Sequence, residues 1–424
     1  MIPILDYEKT EKSPIFQRTT PQSRVTEPVQ EIIARVRKEG DQALFAYSRL
    51  FDKVEVSSLE VTGEELEDAM EKVDTELISI LTSASENIKA YHSQQKRTGF
   101  SFSPEPGVVL GQKITPMEKV GIYVPGGTAA YPSTVLMTAI PAKIAGCGEI
   151  VMVTPPGKNG ISPAILAAAK IAGVDRIFRV GGAQAIAALA YGTESIPRVD
   201  KIVGPGNAYV AEAKRQVFGQ VAIDMIAGPS EILIIADEKS NPAHVAADML
   251  SQAEHDRLAS AVLITTSRSL AEQVQKELEA QVSRLPRKEI ARASLEGQGK
   301  IILAASIPQA MENSNRLAPE HLELMVERPM DYLNSIKNAG SVFLGRYCPE
   351  PVGDYWAGPN HTLPTGGTAR FSSPLSVDDF VKTSQFTAYS QEALQKAGGK
   401  IAAFAQAEGL EAHARSVTIR EEGL

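Results

Sequence analysis

Residues 251–256, SQAEHD, place an amide side chain, Gln252, three positions before an imidazole, His255. The preceding run AHVAADML is apolar enough to form a helix, and residues three apart lie on one face of a helix. The two side chains are therefore expected to point the same way. Amide oxygen and neutral imidazole nitrogen can both bind a metal ion, so a metal site is one chemistry that this spacing serves.

Three further histidines follow a carboxylate closely: Glu320 and His321 in APEHLEL, Asp354 and His361 in DYWAGPNH, and Glu408 and His413 in EGLEAH. If glutamine, aspartate and two histidines converged, their oxygen and nitrogen donors would suit zinc. Spacing does not establish convergence, and a histidine beside a carboxylate is common on protein surfaces. The residues alone therefore leave the metal site open. His92 and His244 lie in plain helical surroundings and are expected to be structural.

The adjacent pair Glu320 and His321 carries a geometric condition. Neighbours on a regular strand face opposite sides of a sheet, so both can serve one site only if the strand does not begin before them. Pro319 precedes the pair, and proline is favoured at the start of a strand or in the loop before it. We therefore predict that the pair lies on a loop.

Two blocks of short β-rich runs alternate with helical segments, which is typical of parallel sheets in α/β proteins. The first block contains VGIYV, EIVMVT, RIFRV and KIVG, and the second contains EILIIAD, AVLITT, KIILAAS, HLELMV and SVFLG. We predict two Rossmann-like α/β domains with parallel-rich sheets, an N-terminal helical segment and a C-terminal helical arm. The predicted boundaries are residues 1–20 for an N-terminal arm, 21–119 with 232–375 for the first α/β domain, 120–231 for the second, and 376–424 for the C-terminal arm.

Helical patterns open and close the chain. Val29, Ile32, Ile33, Val36 and Leu44 recur at helical intervals around a single glycine. A capping box of Thr62 and Glu65 then predicts one helix that ends near Gln95. The tail from residue 389 returns to helical periodicity.

Glycine turns follow three strands of the first block: VGIYVPGGTAAYPSTV, RIFRVGGAQAIAALA and KIVGPGNAYVAEAKRQV. Each turn opens a helix, whose free N–H groups and positive potential favour the phosphates of a dinucleotide. No G-x-G-x-x-G fingerprint occurs, so ordinary tight turns of an α/β domain are the alternative.

Composition limits the classes of partner. Lys and Arg total 43 against 51 Asp and Glu, a net charge of -8 with both signs interspersed, so no basic surface for nucleic acid is expected. No signal peptide or run of eighteen apolar residues occurs, and we expect a cytoplasmic protein without a membrane partner. Cys147 and Cys348 are too few for a disulfide framework or a thiolate cluster, and both are expected to be small packing residues.

The motifs VGIYVPGG, VGGAQAIAAL, GPGNAYVAEAKRQV, AIDMIAGPSE, SQAEH, APEHLEL and DYWAGPNHTLPT occur in this order. Together they resemble the histidinol dehydrogenase family from about residue 20 to the C-terminus. The resemblance implies oxidation of L-histidinol through the aldehyde to L-histidine with two NAD, one water and a zinc ion. This conversion forms the last steps of histidine biosynthesis.

The resemblance also implies roles for particular residues. The implied zinc ligands are Gln252, His255, Asp354 and His413, with the last supplied by the partner subunit of a domain-swapped homodimer. These four would also border the substrate, with further substrate contacts from Ser230, His321, His361 and Glu408. The implied NAD contacts are Tyr123, Gln184 and Asn207. His321 would act as the base and Glu320 would activate water.

Three other readings stay open at this level. A related zinc- and NAD-dependent dehydrogenase that oxidises another polar primary alcohol would retain the zinc ligands, because a fold does not set the substrate. A metallohydrolase would use Glu320 to activate a zinc-bound water, and its glycine turns would be structural. A non-catalytic binding protein would leave the histidine and carboxylate pairs without a chemical purpose.

Overall fold

The computed structural model describes residues 2–8, 25–126 and 130–422, and it divides into two compact units. The first unit comprises Met1–Gln95 with Met117–Phe380, and the second comprises Lys96–Pro116 with Val381–Leu424. Two parallel sheets lie in the first unit, which confirms the predicted α/β class. None of the helices in the described part of the chain is both long enough and apolar enough to cross a membrane.

A five-stranded parallel sheet contains all four strands predicted for the first block. Its members are β4 (Lys119–Tyr123), β5 (Glu149–Thr154), β6 (Arg176–Arg179), β7 (Lys201–Val203) and β8 (Ala222–Ile223). Their order is β6-β5-β4-β7-β8, so the chain moves outward in opposite directions on either side of the β4/β7 pair. Ligands of doubly wound sheets bind beyond the carboxyl ends of strands at such a switch point. Two of the predicted glycine turns follow these two strands.

Helices cover both faces of this sheet. They are α1 (Thr26–Glu39), α2 (Asp41–Tyr47), α3 (Gly63–Lys72), α4 (Thr75–Ser93), α5 (Pro132–Ala145), α6 (Pro163–Ala172), α7 (Gly182–Tyr191) and α8 (Ala208–Val217). The predicted apolar stripe of α1 is buried, and Gly40, with a φ of +55°, separates α1 from α2. The single helix predicted from Thr62 to Gln95 is wrong. The capping box is present, but Val73 is extended and Asp74 caps a second helix by accepting the N–H of Glu76 at 2.7 Å.

A six-stranded parallel sheet contains the strands predicted for the second block. Its members are β1 (Ile4–Asp6), β9 (Glu231–Ala236), β10 (Ser260–Thr265), β11 (Lys300–Leu303), β12 (His321–Met325) and β13 (Ser341–Leu344). Their order is β1-β11-β10-β9-β12-β13. The predicted N-terminal arm contributes β1 to this sheet, whereas its residues 9–20 lie outside the described residues. Every residue of β9 is buried, as expected for a central strand of a parallel sheet.

The helices that accompany this sheet are α9 (Pro242–Ala253), α10 (Arg268–Val282), α11 (Lys288–Gln298), α12 (Ile307–Leu317) and the short α13 (Glu350–Val352). Two apolar clusters fill the two faces of the sheet, so alternate residues of β9 serve different clusters. Ile232 and Ile234 belong to one cluster, and Leu233 and Ile235 belong to the other. This strand therefore needs branched apolar residues at successive positions rather than an alternating pattern.

The second unit contains a three-stranded antiparallel sheet that the sequence analysis missed. It is formed by β2 (Phe100–Phe102), β3 (Val108–Pro116) and β14 (Val381–Tyr389) in the order β14-β3-β2. Eight of the nine β14 residues are exposed, so the strand lacks the alternation that marks a half-buried strand. The predicted helical tail is confirmed as α14 (Gln391–Ala407) and α15 (Glu411–Thr418), separated by Gly409 with a φ of +75°.

Gly204, which follows β7, meets two constraints at once. Its φ is +111°, and a Cβ there would lie 2.2 Å from the carbonyl oxygen of Tyr123. Gly219 provides a matched control, because its φ is +98° and an added Cβ would meet no described atom within 4 Å. We expect Gly219→Ala to cost about 1 kcal/mol and Gly204→Ala about 3 kcal/mol or more. Thermal unfolding midpoints measure the difference, and equal losses would contradict the packing constraint.

Candidate active site

The amino ends of two neighbouring strands bring Glu320 and His321 together. His321 is the first residue of β12 and lies opposite Ile232 of β9 in the parallel ladder. Glu320 precedes the strand. The prediction that the pair lies on a loop is correct for Glu320 and wrong for His321. Because the strand begins at His321, Glu320 is not bound by strand alternation, and the geometric condition is met.

The imidazole of His321 is held in one tautomer. Its Nδ1 lies 3.0 Å from the backbone carbonyl oxygen of Glu231, which can only accept, so Nδ1 carries the proton. Nε2 is buried and has no hydrogen-bond partner among the described residues. Burial lowers the pKa of His321 to about 4. At neutral pH the ring is therefore uncharged and presents a lone pair at Nε2.

The carboxyl of Glu320 binds the backbone N–H of the same residue, Glu231. Its Oε2 accepts the backbone N–H of Glu231 at 2.8 Å and lies 3.7 Å from His321 Nδ1. Burial raises the pKa of Glu320 well above its ordinary value of 4.5, and nearby carboxylates act in the same direction. Burial therefore favours the protonated form of Glu320, directly beside the uncharged imidazole of His321.

Two carboxyls lie near the buried Nε2 lone pair of His321, and a second imidazole lies beside one of them. Its Nε2 lies 3.8 Å from Glu350 Oε1 and 3.9 Å from Asp354 Oδ1, and His361 Nδ1 lies 4.0 Å from the same Asp354 oxygen. Ligand atoms of His321, Glu350 and Asp354 lie within 4.8 Å of one another, close enough to hold a metal ion. Glu350 was not predicted from the sequence, although its position four residues before Asp354 was a usable signal that the two carboxyls lie close together.

Burial perturbs the pKa of each of these groups. It raises the pKa of Asp354 to about 6 and lowers that of His361 to about 4. Burial and the adjacent Asp354 raise the pKa of Glu350 to about 9. Two carboxyls held together in a buried site resist simultaneous ionisation, and a bound cation would reverse that preference.

Gln252 and His255 approach the same region from the end of α9. The helix ends at Ala253, so His255 lies in the following turn rather than on the helix. Gln252 is 1% exposed, and its Oε1 lacks a hydrogen-bond partner within the described chain. His255 lies close enough to lower the pKa of His321, after the larger effect of burial. A buried amide oxygen without a partner, three residues before His255, fits a zinc ligand.

Three further residues were predicted to contact the substrate or the metal, namely Ser230, Glu408 and His413. Ser230 is half-buried immediately before β9, and its carbonyl accepts the N–H of Ser260 at 2.9 Å. Glu408 and His413 lie in the second unit, at the end of α14 and within α15, and both are exposed. The roles of these three residues stay predictions.

The predicted cofactor residues lie at the carboxyl end of the five-stranded sheet. Tyr123 ends β4, and its hydroxyl accepts the Gly182 N–H at 3.1 Å, at the start of the helix that contains the buried Gln184. Asn207 caps α8, because its Oδ1 accepts the backbone N–H groups of Tyr209 and Val210 in the first turn at 3.0 and 3.2 Å. The turns after β4, β6 and β7 thus share one edge of the sheet. Gly127 of the first turn lies outside the described residues.

Comparison with known proteins assigns the family. The family model for histidinol dehydrogenase matches residues 16–421. Histidinol dehydrogenase from Listeria monocytogenes is 58% identical over 399 residues, covering 94% of this chain and 93% of that protein. The chain belongs to the histidinol dehydrogenase family.

Other members of the histidinol dehydrogenase family extend the likeness. The Clostridium acetobutylicum histidinol dehydrogenase is 55% identical over 417 residues, covering 98% of this chain and 97% of that protein. The crystal structure of histidinol dehydrogenase from Elizabethkingia anophelis is 40% identical, with a TM-score of 0.94 over 99% of this chain and 98% of that one. The similarity therefore extends to the architecture of the whole chain.

Behind the site of this family member lies a second pair of carboxyls, the buried Glu323 and the half-buried Asp248. Glu323 Oε1 accepts the Glu350 N–H at 2.7 Å, and the Asp248 carboxyl lies within hydrogen-bonding reach of Glu323. Glu323 Oε2 has no donor among the described groups. Burial raises the pKa of Glu323 well above 4.5 and that of Asp248 to about 6. A hydrogen bond between the two facing carboxyls requires a proton on one of them, so we expect Asp248 and Glu323 to share a proton.

This shared proton predicts a pH dependence of stability. A carboxyl whose pKa is raised in the folded state favours folding at low pH and loses that advantage as pH rises above its unfolded value. Each such proton contributes up to about 1.4 kcal/mol per pH unit. We expect the unfolding midpoint to fall from pH 5 towards pH 8, and Glu323→Gln to reduce that fall.

The matched control is Glu327→Gln, which removes an exposed carboxylate paired with Lys239 two residues beyond β12. It should leave the pH dependence of the unfolding midpoint unchanged. If Glu323→Gln and Glu327→Gln gave the same profile as the unmodified chain, the shared proton would be refuted.

Proposed function

We propose that this chain catalyses the zinc-dependent, four-electron oxidation of L-histidinol through L-histidinal to L-histidine, with two NAD and one water. This is the reaction expected for the final steps of histidine biosynthesis. The observation that carries the proposal is the buried pair Glu320 and His321, held by the backbone of Glu231, with His321 facing Asp354. Membership of the histidinol dehydrogenase family, and the names of its relatives, support the substrate.

Gln252, His255 and Asp354 are proposed to hold the zinc ion, with His413 as the fourth ligand. The unpaired Gln252 Oε1 and the nearby carboxylate and imidazole are the features that fit this group. When bound, zinc supplies a Lewis acid that orients and polarises the substrate alcohol. Because the donors are largely neutral, with one carboxylate, the site keeps net positive charge.

His321 is the proposed base in both oxidations. Its Nε2 lone pair takes the hydroxyl proton while the carbinol hydrogen leaves as hydride. The hydrogen bond from Nδ1 to the Glu231 carbonyl keeps the lone pair on Nε2 before each transfer. Glu350 and Asp354 then face the imidazolium at 3.8 and 3.9 Å, where negative charge would stabilise it.

Glu320 is proposed to act between the two oxidations. Once ionised, it removes a proton from water, the hydroxide adds to the aldehyde carbon, and the resulting gem-diolate takes the proton held by His321 to give the gem-diol. The diol then undergoes the second proton and hydride loss, with His321 again as the base, and yields the carboxylate. Ser230, His361 and Glu408 are proposed to contact the substrate, Glu408 by pairing with one of its cationic groups.

The glycine turns are proposed to bind NAD through Tyr123, Gln184 and Asn207. The α8 N-terminus, capped by Asn207, directs positive potential towards the carboxyl edge of the sheet, which suits a pyrophosphate. When bound, NAD accepts one hydride in each oxidation. Two NAD molecules must therefore be used in succession for each histidinol.

The deciding measurement is the number of NADH molecules formed per L-histidinol, with zinc-loaded protein, excess NAD and limiting substrate. We expect two. One NADH would mean that the aldehyde leaves before the second oxidation, which would refute the role of Glu320. No NADH, from protein that binds both zinc and NAD, would favour a related dehydrogenase of another polar primary alcohol. No effect of NAD on activity or melting would favour a metallohydrolase.

Glu320→Gln separates the two oxidations. The amide can still accept the Glu231 N–H, so His321 should stay in position and the first oxidation should continue. The second oxidation should slow by at least about 100-fold because general-base catalysis is lost. The yield should approach one NADH per histidinol, with L-histidinal as the product. An unchanged yield of two would exclude Glu320 as the base for water.

The active unit is proposed to be a homodimer in which the C-terminal arm supplies His413 and Glu408 to the partner's site. Gln252→Ala and His413→Ala chains should each be inactive alone. In a mixed dimer, one site would carry both defects and the other would be intact, so about half of the wild-type activity per dimer should return. Ligation within one chain would leave a defect in every site and restore no activity.

A further inference from the structure

The turn between β7 and α8 is fixed at both polar atoms of Gly204. The Gly204 N–H donates to Asp224 Oδ2 at 2.7 Å, and its carbonyl accepts from Lys214 Nζ at 3.0 Å. Lys214 and Asp224 also form an ion pair with each other. Asp224 Oδ1 accepts a further N–H, from Met225, at 2.6 Å. The buried pair therefore binds both backbone polar groups of Gly204, in the turn that leads to Asn207, and the N–H of Met225 after β8.

This pair is removed from solvent. The side chains of Lys214 and Asp224 are 2% and 1% exposed. Taking two charges out of water opposes folding, and the mutual attraction of a buried pair offsets that cost only with additional hydrogen bonds. A surface ion pair would avoid this cost. The buried pair instead fixes the path of the turn, because Asp224 accepts the N–H of Gly204 and Lys214 donates to its carbonyl.

The fixed turn contacts the other proposed cofactor residues. Gly204 packs directly against the Tyr123 carbonyl, so closely that a Cβ at Gly204 would lie 2.2 Å from that oxygen. The Tyr123 hydroxyl in turn accepts the Gly182 N–H at 3.1 Å, at the start of α7. The turns after β4, β6 and β7 are thus connected through Tyr123. The ion pair of Lys214 and Asp224 lies beneath the turn after β7, which leads to Asn207.

We infer that Lys214 and Asp224 are positioning residues for the dinucleotide. They act through the Gly204 turn and not by touching the cofactor, because both side chains lie beneath the turn. The pair sets the place of Asn207 and the first N–H groups of α8 relative to Tyr123. This inference rests on the proposed NAD site and assigns to it a buried ionic support.

Three variants and one control test the inference. Lys214→Met removes the cation but keeps a long side chain, Asp224→Asn keeps the size of the acid, and the double variant removes both charges together. The control is Lys201→Met, at the opposite end of β7, because Lys201 is also buried and pairs with Asp379 at 2.8 Å. For each protein we would measure the Kd of NAD by calorimetry, the KM of NAD and of L-histidinol, kcat, zinc content and the unfolding midpoint.

A positioning role predicts a selective loss. The Kd and KM of NAD should rise at least about tenfold in all three variants, since a small displacement of a binding group has large effects. The KM of L-histidinol, kcat at saturating NAD and zinc content should change less than about twofold. Lys201→Met should bind NAD as the unmodified chain does, even if its unfolding midpoint falls.

The double variant distinguishes positioning from stability. Lys214→Met alone leaves a buried carboxylate without its cation and should lower the unfolding midpoint more than the double variant, which leaves no buried charge. If the double variant recovers stability but still binds NAD weakly, the pair positions the turn. If NAD affinity recovers with stability, or never falls, the inference is wrong. Should Lys214→Met fail to fold, the double variant and Asp224→Asn provide the same comparison.

Failure of the proposed function would look different. If the unmodified, zinc-loaded protein did not bind NAD in the calorimeter, the NAD site itself would be refuted, and the positioning inference with it. Normal NAD binding by the unmodified protein, combined with unaltered binding by the variants, would overturn only the role of Lys214 and Asp224.

Discussion

The backbone of Glu231 is the constraint on which the proposed chemistry depends. Its N–H holds Glu320 at 2.8 Å and its carbonyl holds His321 Nδ1 at 3.0 Å. Because β9 and β12 are buried parallel neighbours, their register sets the positions of both side chains. A shift of one residue would turn His321 to the opposite face of the sheet. The apolar packing of both faces of β9 therefore supports the catalytic geometry directly.

The two sheets present opposite ends to their proposed ligands. The five-stranded sheet offers the carboxyl ends of β4 and β7, where strands diverge and helix N-termini favour a phosphate. The six-stranded sheet instead offers its amino edge, where the backbone N–H of Glu231 is available to hold the carboxyl of Glu320. The carboxyl edge of the five-stranded sheet thus offers helix N–H groups to the proposed NAD, and the amino edge of the six-stranded sheet offers a backbone N–H to Glu320.

Buried carboxyls dominate the electrostatics of the site. Glu320, Glu323 and Glu350 all have raised pKa values, with burial as the largest cause. In a metal-free protein these groups favour their protonated forms, whereas a bound cation would favour ionisation. The hydrogen bond from the Glu350 N–H to Glu323 links the acid pair behind the site to the segment that contains Asp354. The buried carboxyl of Glu323 therefore holds the backbone of the segment that contains Glu350 and Asp354.

The sequence by itself determined the two parallel sheets, because buried central strands require continuous runs of branched apolar residues. It also indicated the glycine turns and the histidine and carboxylate pairs, whose residue types can bind phosphates and metal ions. It missed the helix break at Asp74 and the strand β14, because a single cap and an exposed strand leave weak local patterns. Only the tertiary structure decided that Glu350 joins His321 and Asp354, and that Lys214 and Asp224 lie buried beneath a turn. Convergence of distant residues and their removal from water depend on long-range packing, which no local pattern specifies.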